Sequence, residues 1–277
     1  MRTTPQSISE LRSVYDMLSL KGKSALVTGA GGGIGRSTAA GFAELGAKVC
    51  LMDVPQKETE LKQFCKEIGE RYDAQTMYVL GDVSDPASVD AFVKEASGAF
   101  GTIDVVHNNA GIGLAGDDSN VDIELWNKVV AVNQTGILLV GRACANLMVE
   151  HGHGGSIVCT SSISGLIVNK KPMGSSYGVV YPATKAAVEH MTKAMAMDYV
   201  ERGVRFNSVC YGYILSGLHK VEAGFPVEAF KDMCETTPMN RMGRLDETVG
   251  CVMYLASDLS SYATGSTVVV DGGYCVW

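Results

Sequence analysis

The stretch SALVTGAGGGIGRSTAAGFAELGAKVCLMD, residues 24–53, carries the pattern on which the fold turns. Ser24–Thr28 is an apolar run of strand length, Ile34–Leu45 has helical spacing, and Lys48–Asp53 is a second strand-like run. Between the first strand and the helix stand glycines 29, 31, 32, 33 and 35. Glycine suits such a turn because it tolerates unusual φ/ψ and lets the backbone approach a pyrophosphate, which then sits on the positive end of the helix dipole. Asp53 follows eighteen residues beyond Gly35, at the end of the second strand. A glycine-rich loop placed between strand and helix, with an acid at that distance, is a dinucleotide-binding pattern. The carboxylate can accept hydrogen bonds from the adenosine ribose hydroxyls and would repel a 2′-phosphate, so NAD is expected in preference to NADP. Arg36 is the one nearby cation that could weaken this expectation, and it lies beyond the turn, along the helix.

The same alternation continues outward. Further strands are expected at Gln75–Leu80, Ile103–His107, Gly155–Thr160, Val204–Val209 and Ser266–Val270. Helices are expected at Lys57–Glu70, Pro86–Phe100, Asp122–Glu150, Pro182–Arg202 and Asp246–Ala256. Strands alternating with helices imply an α/β fold, a single doubly wound parallel sheet of about seven strands with helices on both faces. No repeat or Pro/Ser-rich linker interrupts the series, so residues 21–277 read as one domain behind an N-terminal arm at 1–20, with an irregular excursion near 213–243. A chain of 277 residues with 46% hydrophobic content can bury one substantial core.

Net charge is −7 with both signs mixed along the chain, which leaves no electrostatic footprint for nucleic acid or an anionic membrane surface. A small-molecule ligand is the expected partner. Glu10, Arg12 and Asp16 stand where a signal peptide would need an apolar core, and no apolar run reaches membrane-spanning length, so a cytoplasmic protein is expected. The eight cysteines include no C-x-x-C pair and read as reduced, mostly buried thiols. His151 and His153 have no further ligands at metal-site spacing, and no metal is expected.

A second stretch, GSSYGVVYPATKAAVEH at 174–190, holds two tyrosines, Tyr177 and Tyr181, and then Lys185. Pro182 separates their fates. Proline is tolerated in a first helical turn but not in the interior, so the helix is expected to begin near Tyr181–Pro182, leaving Tyr177 in a loop. Tyr181 and Lys185 then lie one turn apart on one face. A phenol with a pKa of about 10 becomes a base near pH 7 only if roughly 4 kcal/mol favours its ionised form, which a nearby ammonium and a cationic nicotinamide could supply in a dry cleft. Taken alone, Y-x-x-x-K is equally the start of any helix with a packed aromatic and a solvated lysine.

It does not stand alone. TGAGGGIG (28–35), Asp53, Asp82-Val83, NNAG (108–111), Asn133, Ser162 and Tyr181-x-x-x-Lys185, with RFNSVCYGYILSG (205–217) and the stretch 241–273, together resemble the short-chain dehydrogenase/reductase family in its compact single-domain form. The match runs over nearly the whole chain from about residue 20. The resemblance implies an NAD(P)-dependent oxidoreductase interconverting a secondary alcohol and a ketone. It implies Tyr181 as acid/base, Lys185 as the cation beside it and holder of the nicotinamide ribose, Ser162 as hydrogen-bond donor to the substrate oxygen, and Asn133 as the holder of a water next to Lys185. It places Gly29, Gly33, Ile34 and Gly35 on the pyrophosphate side, Asp82 and Val83 at the adenine, and Asn109, Ala110 and Gly111 beside the adenosine. Gly212, Ile214 and Ser216 fall at the nicotinamide, and a homotetramer or homodimer is implied. Read singly, Asp82 is a strand-end turn residue, Ser162 a hydroxyl cap and Asn133 a satisfied buried amide.

Two departures from the family's pattern stand out. Tyr211 precedes Gly212 where the family usually has proline, which predicts a more mobile backbone under the nicotinamide. The segment between Ser162 and Tyr181 is longer than usual, leaving Ser161 and Ser164 as alternatives to Ser162 and altering the expected substrate loop region, which includes 211–243. The arm, SGLIVN (164–169) and the DGGY tail resemble the polyol and ketose branch, with Asn169, Lys170, Lys171 and Ser175 as candidate contacts to a hydroxyl-rich ligand. The competing substrate is a hydroxysteroid or other alicyclic alcohol, which Met173, Val179, Leu218 and Phe225 would suit. A non-catalytic NAD-binding sensor or scaffold is the alternative of another class.

Overall fold

The computed structural model describes residues 8–113, 118–170, 178–216 and 226–276. Seven strands, β1 (Ser24–Thr28), β2 (Lys48–Asp53), β3 (Thr76–Leu80), β4 (Val105–Asn108), β5 (Gly155–Ser162), β6 (Val204–Tyr211) and β7 (Thr267–Val270), form one sheet. Their spatial order is β3-β2-β1-β4-β5-β6-β7, and every neighbouring pair is parallel. Around them lie α1 (Val14–Leu18), α2 (Gly33–Glu44), α3 (Glu58–Tyr72), α4 (Pro86–Phe100), α5 (Ile123–Val130), α6 (Gly136–Glu150), α7 (Val180–Tyr199), α8 (Val227–Glu235) and α9 (Val249–Ala256). The strand order reverses between β1 and β4, so a crevice opens at the carboxyl ends of those strands, where such folds bind ligands.

The central strands are buried almost throughout because helices cover both faces of the sheet. Side chains alternate: Leu26, Cys50, Val106, Ile157 and Phe206 pack with α4, α6 and α7, whereas Ala25, Val49, Leu51, Val105 and Val158 pack with α2, α3 and α9. Helix starts follow local chemistry. Asp85 accepts the Ala87 N–H ahead of Pro86 and opens α4, and Asp122 accepts the Glu124 N–H and opens α5. All eight cysteines are unpaired.

Several expectations need correction. The run at 122–150 is not one regular helix, because a π-helical turn at Ala131–Thr135 joins α5 to α6. The helix expected from Asp246 begins as a 3₁₀ turn at Leu245–Thr248 before α9. The excursion at 213–243 contains α8, an amphipathic helix too short to stand out in sequence, and its residues 217–225 lie outside the described ones. The arm holds α1 and is tied back by an ion pair from Arg12 to Asp258 at 2.6 Å. Among the described residues no helix is long and apolar enough to cross a membrane.

Candidate active site

At the nucleotide end, main-chain contacts predominate. The Thr28 hydroxyl oxygen accepts the N–H groups of Asn109 (2.9 Å) and Ala110 (3.0 Å), tying the loop after β4 to the end of β1. Gly29 and Gly33 have φ of +68° and +52°, values that only glycine adopts at ease. A Cβ on Gly35 would lie 2.3 Å from the Gly29 carbonyl oxygen, so α2 presses against the loop that precedes it. Asp53 Oδ2 accepts the Gly31 N–H at 2.8 Å, and Oδ1 accepts the Val54 N–H at 2.8 Å. Each oxygen keeps a second lone pair for a ribose hydroxyl. With open space above Gly32 and the first N–H groups of α2 behind it, this cradle fits a dinucleotide.

Arg36 is occupied elsewhere, paired with Glu67 at 2.9 Å and stacked 3.5 Å from the centroid of Phe64. The cation that sequence reasoning missed is Lys57. A 3₁₀ turn at Pro55–Lys57 folds its stem back to Gly31, where an added Cβ would meet Lys57 Cβ at 3.0 Å, and its ammonium pairs with Glu60 at 2.8 Å. The PQK sequence at 55–57, one residue past Asp53, was the available signal. Asp82 shapes its turn, Oδ1 accepting from the Ser84 N–H (2.8 Å) and hydroxyl (2.7 Å). Val83 is buried against Gly136.

At the other end, α7 starts at Val180, which puts Tyr181 in its first turn and Lys185 one turn on. Lys185 Nζ lies 5.5 Å from the Tyr181 ring centroid and donates to the Thr160 carbonyl at 3.0 Å. Asn133, fully buried in the π turn, clamps Ile112: Oδ1 accepts its N–H at 2.7 Å and Nδ2 donates to its carbonyl at 2.8 Å. That clamp seats Gly111, where an added Cβ would be 3.4 Å from both Lys185 Nζ and Asn133 Oδ1. Of the three serines, Ser162 is hydrogen-bonded to the Tyr181 phenol. Ser161 instead donates to the Lys185 carbonyl at 3.0 Å, and Ser164 rests on Ser162, its N–H 3.2 Å from Oγ. Gly165, which sequence reasoning missed, allows this approach, since a Cβ there would lie 2.6 Å from the Lys185 carbonyl carbon.

The electrostatics differ from the expectation of a lowered phenol pKa. Burial raises the Tyr181 pKa, against the opposing pull of the Ser162 hydrogen bond, with Cys210 adding to the rise. Burial also lowers Lys185 to about 8. The ammonium is itself desolvated and directed at a carbonyl, so it does not overcome the phenol's own burial.

The loop after β6 completes the crevice. Gly212 donates its N–H to the Val270 carbonyl at 3.0 Å, and a Cβ on it would lie 2.7 Å from Asp271 Cα. Ile214 pairs with Gly243, and the Ser216 carbonyl comes over Gly33, 3.3 Å from where its Cβ would be. Tyr211 does not leave this backbone untethered. The side chain is buried and its hydroxyl donates to the Thr248 carbonyl at 3.1 Å, an anchor that proline lacks. Beside this loop, Asn169 Nδ2 donates to the Tyr213 hydroxyl (3.2 Å), and the Lys170 N–H donates to the Tyr274 hydroxyl (2.8 Å). Both tyrosines went unremarked in the sequence, although the YGY and DGGY motifs carried them. Val179 is partly exposed. Lys171, Met173, Ser175, Tyr177, Leu218 and Phe225 lie outside the described residues.

The family model described as enoyl-(acyl carrier protein) reductase matches residues 29–275. A solved structure described as a short-chain type dehydrogenase/reductase from Mycobacterium marinum superposes with a TM-score of 0.88 at 36% identity, covering 96% of this chain and 100% of that one. The chain belongs to the short-chain dehydrogenase/reductase family. Among the relatives of this dehydrogenase, galactitol 2-dehydrogenase (L-tagatose-forming) of Cereibacter sphaeroides is 36% identical over 258 residues, 93% of this chain and 97% of that protein. L-rhamnose 1-dehydrogenase (NAD(P)(+)) of a Sphingomonas species is 36% identical over 257 residues, 93% of this chain and 98% of that protein. The dehydrogenase is accordingly an oxidoreductase of CH–OH groups, in a family that uses an NAD(P) nucleotide.

Proposed function

We propose that this short-chain dehydrogenase/reductase interconverts a secondary alcohol of a polyol and the corresponding ketose, with NAD preferred over NADP. The observation that carries the reading is the meeting of the Ser162 hydroxyl, the Tyr181 phenol and the Lys185 ammonium at the carboxyl ends of β5 and β6. The galactitol and rhamnose dehydrogenases support the substrate class. The Asp53 carboxylate seated on Gly31 supports NAD.

When bound, the oxidised nicotinamide accepts a hydride and brings a positive ring charge. The chain's own groups handle the proton. In the alcohol-to-ketone direction the Tyr181 oxygen takes the proton of the substrate hydroxyl, and in the reverse direction it returns one to the carbonyl oxygen. Its raised pKa favours the protonated phenol, which is the acid of the ketone-to-alcohol direction. Ser162 donates a hydrogen bond to the substrate oxygen, where negative charge develops. Lys185 supplies positive charge beside the phenol, and Asn133, by clamping Ile112, holds Gly111 against that ammonium.

The test is a panel of polyols, hydroxysteroids and alicyclic alcohols offered with NAD or NADP while the absorbance of the reduced nucleotide is followed. Turnover of a polyol with NAD is expected. Turnover confined to hydroxysteroids or alicyclic alcohols overturns the substrate class, and tight nucleotide binding without any turnover indicates a sensor instead.

A further inference from the structure

Tyr181 and Lys185 are the first two members of a series with a third. Glu189 stands one more turn along α7, on the same face, and is only 6% exposed. Among the described residues it makes no salt bridge. Its carboxylate instead receives three donors: the Ser208 hydroxyl (2.9 Å) and the Cys210 thiol (3.2 Å) from β6, and the Thr267 hydroxyl from β7. Three converging donors are what an ionised, acceptor-only carboxylate takes. A buried charge without a contacting cation is costly, and the apolar contacts of Val188, Met195 and Tyr199 already hold α7 to the sheet.

We propose that Glu189 is a positioning residue whose negative charge keeps the Lys185 ammonium ionised and so sets the pH range in which Tyr181 and Lys185 work. The inference rests on the function proposed above. Among the described residues the titratable groups facing Lys185 are few. Its own helix gives Tyr181 and Glu189, β5 gives Cys159 and β6 gives Cys210. The π turn contributes Asn133, which does not titrate and whose Oδ1 meets Lys185 Nζ over Gly111. Burial pushes both thiols up to about 12, so they are neutral at working pH. Glu189 is then the one full negative charge among these groups. Burial lowers Lys185 to about 8 with the Glu189 charge already acting on it, so without that charge it would lose its proton closer to neutrality.

The test is Glu189→Gln, which keeps the shape and removes the charge. In the oxidation direction the acid limb of the kcat profile reports protonation of Tyr181, and the basic limb reports loss of the Lys185 charge. Losing a nearby negative charge lowers both pKa values, so both limbs should move to lower pH by about one unit. A ¹³C-lysine NMR titration of the nucleotide-free protein, with the Lys185 signal assigned by its loss in Lys185→Arg, should show the same downward shift. Glu189→Asp, which retains the charge, should keep the limbs in place. A lower plateau with unmoved limbs and an unmoved Lys185 titration overturns the proposal and leaves Glu189 a packing residue. If Glu189→Gln does not fold, Glu189→Met, which also removes the charge while filling the space, should move the limbs the same way, and no movement again overturns the proposal. Should no alcohol turn over, the function proposed above fails, while the NMR titration still decides the Glu189–Lys185 coupling.

Discussion

Where the Gly31 N–H meets Asp53 and Gly35 presses on the Gly29 carbonyl, the crevice is made of main chain; where Ser162, Tyr181 and Lys185 meet, it is made of buried side chains. The two constructions fail differently. A main-chain cradle has no room for an added atom where backbone meets backbone, as at Gly35, but tolerates changed side chains nearby. A buried side-chain site loses its chemistry when one hydroxyl or one charge is removed, even though its shape survives.

The contrast breaks most visibly at Tyr181→Phe. Turnover should fall by about 10²–10⁴-fold, the range for losing a general acid/base, while calorimetry shows unchanged nucleotide affinity. Undiminished turnover would assign the proton to another group. Gly35→Ala should do the reverse, weakening nucleotide binding and lowering stability by about 1–3 kcal/mol in thermal or denaturant unfolding, because the new methyl falls on the Gly29 carbonyl oxygen. An alanine variant with wild-type stability and affinity would mean the cradle is looser than its contacts imply. The mildest effect is expected at Asp53→Ala, where the ratio of NAD to NADP affinity should drop about tenfold, or ~1.4 kcal/mol. An unchanged ratio would move the choice of nucleotide to Lys57, whose stem shares the contact with Gly31.

The main-chain half was the more legible in sequence. Glycines, Asp53 and the Asp85-Pro86 start of α4 speak through local geometry, and β1, β2 and α4 run over the residues expected of them. Pro182 placed Tyr181 at a helix start for the same reason. Other features depend on what lies opposite in space. The burial of Glu189 and Lys185 depends on β5 and β6 being laid against them, which helical spacing alone does not record. The raised phenol pKa follows from that same burial, which no spacing records. Lys57 and the Asn169–Tyr213 contact likewise rely on the chain folding back on itself. The α8 helix is a short amphipathic piece inside a stretch without other periodicity.

The π turn at Ala131–Thr135 carries a consequence for the length of the chain. It accommodates one more residue than an α turn, and each residue turns a helix by about 100°. Removing one residue other than Asn133 from that turn would let the regular ladder close with α5 and α6 kept in nearly the same phase, but it would re-aim the side chains inside the turn and carry the Asn133 amide away from Ile112. This part of the crevice therefore depends on a residue count as much as on residue identity. A deletion there that preserved every named side chain would still dismantle the floor beneath Lys185.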